Sequence, residues 1–103
     1  MTYREYKINC EVNDIKVRNE ITKRLITIRE CEQKMAEEIS KRFASNNKMN
    51  KYYAVGIVNV TGVEMLIKEI KGHNEENDRY IDHAKRGISE FRNTANDMFA
   101  MSF

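Results

Sequence analysis

The chain has no proline, no tryptophan, four glycines and two cysteines in 103 residues. Each shortage excludes something. Without proline, no position in a long helical pattern lacks its backbone donor, so the commonest cause of a kink is missing. Gly56, Gly62, Gly72 and Gly87 are scattered singly, which rules out a glycine-rich loop of the kind that cradles phosphates. Cys10 and Cys31 are too few for a disulfide scaffold and share no metal or redox spacing. They read as small buried hydrophobes in a reducing, cytoplasmic setting. The longest apolar stretches, residues 54–58 and 65–67, fall far short of the ~20 residues that cross a bilayer. The N-terminus carries charge from Arg4 onward and has no apolar signal-peptide core. The expectation is a protein with no membrane segment.

Charge is abundant but mixed. Eighteen Lys/Arg stand against 16 Asp/Glu, a net of +2. Residues 1–51 hold 12 bases and 8 acids, a net of +4; residues 52–103 hold 6 and 8, a net of −2. Acid-then-base pairs four apart recur at Glu20–Arg24, Glu30–Lys34, Glu37–Lys41, Glu38–Arg42, Glu64–Lys68, Glu75–Arg79 and Asp82–Arg86. That order supports helices by about 0.2–0.5 kcal/mol per pair. It describes solvated helix faces rather than the single-sign field of a duplex binder.

What the sequence does contain is helical periodicity. Ile81, Ala84, Ile88, Phe91, Ala95 and Met98 recur at three- and four-residue steps, as do Val17, Ile21, Leu25, Ile28, Cys31, Met35, Ile39 and Phe43. Between and before these seams the pattern changes. Tyr6, Ile8, Cys10 and Val12 alternate with polar residues at period two, which predicts a strand over 3–12. Residues 52–60 are β-branched, aromatic and uncharged, and read as a buried strand. Asn13 and Asp14 supply N-cap chemistry for a helix over 14–44, and the asparagine-rich stretch 45–51 reads as a loop. Thr61-Gly62-Val63-Glu64 matches a capping box and starts a short helix over 62–71, which Gly72 stops. Asn74 then caps a helix over 75–101.

The resulting expectation is an α+β single domain, predominantly α, in the order β-α-β-α-α. Its two long helices pack antiparallel beside one short helix. Helix 14–44 would run roughly 46 Å, far beyond a compact domain of this length. Two strands are also too few for an independent sheet. Both features predict a homodimer.

No catalytic signature emerges. The serines lack a nucleophile-elbow context, the cysteines lie on apolar stripes, and His73 and His83 are ten residues apart with no dense ligand spacing. No enzyme activity, cofactor or metal is expected. The favoured reading is a small cytoplasmic interaction module (an adaptor, inhibitor or assembly factor) acting through helical surfaces on itself or another protein. Its candidate contact is the apolar end Met98, Phe99, Met101 and Phe103. The alternative is a nucleic-acid-binding regulator using the basic and aromatic set Lys41, Arg42, Lys48, Lys51, Tyr52 and Tyr53. Gly87, inside a helix and beside the seam residue Ile88, predicts either a close helix contact or a small-ligand pocket, with the contact favoured.

Overall fold

The computed structural model describes residues 1–102. Three helices follow one another: α1 over Tyr3–Ile39, α2 over Asn46–Ile70 and α3 over Glu75–Ser102. Among the described residues there is no strand, so the α+β expectation gives way to an all-α, three-helix bundle-like fold.

Both expected strands are helical for local reasons. At the start, Thr2 Oγ1 accepts from the Glu5 backbone N–H and the Glu5 carboxylate accepts from the Thr2 N–H. This capping box launches α1 at Tyr3. The period-two alternation of residues 6–12 then wraps around the helix at 100° per residue. Tyr6 and Cys10 fall on one side, and Ile8 and Val12 fall opposite. With no second strand to pair, a strand over 3–12 would leave its ladder groups unmatched.

The second strand, 52–60, and the short helix 62–71 are both parts of α2. Its buried residues Met49, Gly56, Val60, Val63, Ile67 and Ile70 form one continuous stripe at helical spacing. Packing along that stripe outweighs the β-leaning composition of residues 52–60. The helix instead starts at Ser45, whose hydroxyl accepts from the Lys48 N–H. Thr61–Glu64 therefore lies mid-helix and caps nothing.

The helix expected over 14–44 begins eleven residues earlier and ends at Ile39. There the Glu38 carboxylate reaches forward to accept from the Ser45 N–H at 2.8 Å and from Lys41 Nζ at 2.8 Å. It folds the chain back into α2. At the other connection, Gly72 has φ +80°, the left-handed stop its position implies. Asn74 Oδ1 accepts from the Asn77 N–H at 2.7 Å and caps α3.

Helix direction follows from the contacts. Arg24 meets Asn59 and Lys34 meets Tyr52, so α2 runs antiparallel to α1. Arg18 pairs with Glu76, the Thr22 hydroxyl with that of Tyr80, and Leu25 faces Gly87. Thus α1 and α3 are parallel, not antiparallel as the seams alone implied. The intervening helix imposes this up-down-up order.

Burial matches the seams closely. All six seam positions of α3 are buried, as are Val17, Ile21, Ile28, Cys31 and Met35 of α1. Leu25 and Ile39 pack at the edge, and Phe43, beyond the helix end, is exposed. Phe91 sits at the centre at 1% exposure, stacked on Tyr53 at 6.0 Å. Gly56 lies directly under the ring, where a Cβ would overlap Phe91 Cζ. Here a glycine is required for close approach.

The bundle is long, 63 × 18 × 15 Å, with a radius of gyration of 17.1 Å against about 13 Å for a compact chain of this length. The excess lies at one end. Asp14 is where α1 meets the α2–α3 turn, so residues 3–13 overhang by roughly 16 Å. Along this arm every residue is exposed except the half-buried Cys10.

Candidate functional site

The apolar C-terminal end is divided by the fold. Met98 is buried, and Phe99 is partly buried with its ring edge-on to Tyr53 at 5.4 Å. Met101 is 73% exposed; Phe103 lies outside the described residues. Two of the four candidate contact residues therefore finish the intramolecular core.

The basic and aromatic segment is dispersed as well. Lys41 is bound to Glu38, and this hydrogen bond first, with the Ser45 N–H second, holds the Glu38 carboxyl below the usual glutamate range. Arg42 lies over the Phe43 ring at 5.4 Å. Lys48 and Lys51 stand exposed on the first turns of α2. Tyr52 receives Lys34 on its face at 5.8 Å, and Tyr53 is packed against Phe91 and Phe99. The tyrosine faces that a base would stack on are already covered from within the protein.

The histidines are also apart. His73 Nδ1 lies 3.0 Å from Asp14 Oδ1, while His83 lines a groove between α1 and α3. Among the described residues no cluster of three or more His, Cys, Asp or Glu is placed to hold a metal. The groove beside His83 has a volume of about 530 Å³, with Leu25, Ile26, Arg86 and Gly87 in its lining. A Cβ on Gly87 would sit 3.6 Å from Leu25 Cδ2, an ordinary contact. The favoured explanation for Gly87, a helix pressed against it, is therefore replaced: α1 stands far enough away for alanine.

Two features were not anticipated. The first is a buried polar knot at the base of the arm. Asp14, 4% exposed, accepts from Asn77 Nδ2 at 2.9 Å and faces His73. Asn77 is wholly buried. Nearby, Arg18 bridges Glu76 at 2.9 Å and its backbone carbonyl accepts from the Tyr80 hydroxyl at 2.9 Å. The only sequence hint was the N-cap chemistry of Asp14 and Asn74, and Asp14 serves a tertiary contact instead.

The second is the outer face of α2. Residues 52–63 carry no charge. One side of this stretch enters the core, but Ala54, Val58, Thr61 and Met65 remain exposed, Val58 at 66% and Met65 at 65%. At 100° per residue these four fall within an arc of about 60°. The sequence signal was present: a segment apolar on both faces. It was read as a strand buried on both sides rather than a helix covered on one.

Comparison with protein-family models, curated proteins and solved structures returns no match to this chain.

Proposed function

We propose that this protein is a non-enzymatic, self-associating helical interaction module whose dimer contact is the outer face of α2. The observation that carries the reading is the uncharged stripe of Ala54, Val58, Thr61 and Met65. A helix that is apolar around its whole circumference is normally buried on all sides. A cytoplasmic setting belongs to the same reading, because Cys31 serves as a small hydrophobe in the seam.

A second copy is the occupant that fits. An antiparallel twofold axis near Asn59 and Val60 sets Ala54 against Met65 of the other copy and Val58 against its Thr61. No charge meets a like charge in these layers. On one flank the same axis brings Lys51 across from Glu69 of the second copy, twice by symmetry. Lys51 and Glu69 are both exposed, and neither is in an ion pair among the described residues. The patch is short, so the dimer should be weak and concentration-dependent.

Light scattering coupled to size-exclusion chromatography tests this. The mass should rise from 12.2 kDa toward twice that value with increasing concentration, and Val58→Glu should hold it at the monomer value. Lys51→Glu and Glu69→Lys should each weaken association, and the double exchange should restore it. A monomeric mass at all concentrations refutes the reading, and so does a double exchange no better than the singles.

A further inference from the structure

A second groove lies on the opposite flank of α2, between it and α3, with a volume of about 380 Å³. Its rim carries Lys68 and Lys71 from α2, and Lys85, Ser89 and Arg92 from α3. The spacing explains the convergence. Lys68 and Lys71 are one turn apart on α2; Lys85, Ser89 and Arg92 lie at steps of four and three on one face of α3. The floor is formed by Ile67 and Ile88, both nearly buried.

The charge balance of this groove is one-sided. Glu64 is the acid in its lining, and its carboxylate is already engaged by Arg92 at 2.9 Å. Lys68, Lys71 and Lys85 make no ion pair among the described residues. Of the neighbouring acids on α3, Asp78 is occupied by the Gly72 N–H at 3.1 Å and Asp82 does not line the groove. Three uncompensated ammonium groups thus converge where the whole chain carries a net charge of +2. Like charges facing one another across two helices repel, and a multivalent anion between them removes that repulsion.

We infer that the α2–α3 groove binds a soluble di- or triphosphate group, held by Lys68, Lys71 and Lys85 with Arg92 and the Ser89 hydroxyl at its edge. Three lysines match an anion of charge three or more better than a monophosphate. The lysines flank a recess between two helices rather than a convex face, so a free small molecule reaches the groove and the flat surface of a bilayer does not. The groove is separate from the outer stripe of α2, and the inference does not depend on dimerisation.

The test is an amide-proton NMR titration of the full chain with inorganic tripolyphosphate at fixed ionic strength, run on Val58→Glu to keep it monomeric. Saturable shifts should concentrate at residues 64–71 and 85–92. Lys85→Glu and Lys68→Glu should each weaken affinity at least tenfold, whereas Lys23→Glu on the exposed side of α1 should leave it unchanged. Circular dichroism of each variant confirms that the fold is retained. Absence of shifts, shifts spread evenly over Lys16, Lys23 and Lys34, or insensitivity to Lys85→Glu would overturn the assignment. So would co-sedimentation with phosphatidic acid vesicles in the absence of any tripolyphosphate response.

Discussion

Residues 3–13 and residues 14–39 belong to one unbroken helix, yet they live in different environments. The second part runs between α2 and α3 and buries Val17, Ile21, Ile28, Cys31 and Met35. The first part touches neither helix and exposes Tyr3 at 80%, Tyr6 at 59% and Ile8 at 48%. Both are helical because extending an existing helix is easy and starting one is not. The packed part supplies the nucleus, and the Thr2–Glu5 capping box closes the far end. Helical state and tertiary stabilisation are therefore separable along a single element.

That separation sets the largest expected effect. Phe91→Ala, in the centre of the packed region, should lower unfolding free energy by about 3–5 kcal/mol. Tyr6→Ala on the arm should change it by no more than about 0.5 kcal/mol. Urea denaturation followed by circular dichroism reads both. Comparable losses at the two sites would erase the distinction between arm and bundle.

Glycines sharpen it on a smaller scale. Gly56→Ala drives a methyl into the Phe91 ring and should cost about 1–3 kcal/mol through overpacking. Gly87→Ala meets Leu25 at an ordinary distance, so helix propensity prevails and stability should rise by about 0.5–1 kcal/mol. Thermal melts of the two variants should move in opposite directions. A fall in both would mean that the α1–α3 groove is tighter than the geometry at Gly87 indicates.

The seams were legible because burial and period agree: every α3 seam residue from Ile81 to Met98 is buried. The strands were misread where local pattern and tertiary partner disagree. Residues 6–12 alternate like a strand, but alternation has meaning only if a sheet exists to pair with. Residues 52–60 have strand-like composition, yet Met49, Gly56, Val60 and Val63 already spell a helical stripe through them. The two T-x-x-E patterns give the sharpest contrast. Thr2–Glu5 is a working capping box and Thr61–Glu64 is not. Their local sequences are equivalent; what differs is that a packed helix already runs through Thr61. Contacts between distant residues, such as Asp14 with Asn77, leave no periodic trace and were invisible. The α2–α3 groove was hidden for the same reason, since its lysines come from two helices whose register is set only on folding.

The α1–α2 connection should respond to acid. Glu38 has its pKa lowered in the folded state by Lys41 first and the Ser45 N–H second. A lowered folded value means that its contribution is present above the ordinary value of 4.5 and is lost as pH falls through the folded value. Unfolding midpoints should therefore fall on acidification below that range. Glu38→Gln should be less stable at neutral pH, with a smaller acid-dependent drop. An unchanged acid profile in Glu38→Gln would remove Glu38 from the account.

The smallest perturbation compares the two thiols, one on each part of α1. Cys10 lies half-buried on the arm and Cys31 is 5% exposed in the seam. Burial first of all raises the Cys31 thiol pKa, with Glu30 adding to it and Lys34 opposing it. The thiolate is the reactive form, so Cys31 is disfavoured by both access and ionisation. An aromatic disulfide reagent should label Cys10 in the native protein and reach Cys31 only through opening of the bundle. That predicts a rate ratio of at least about a hundredfold. Cys31→Ala and Cys10→Ala assign each phase. The ratio should collapse in urea, where both thiols become equally accessible. Equal native rates would place Cys31 outside the packed seam and remove the distinction between the arm and the bundle.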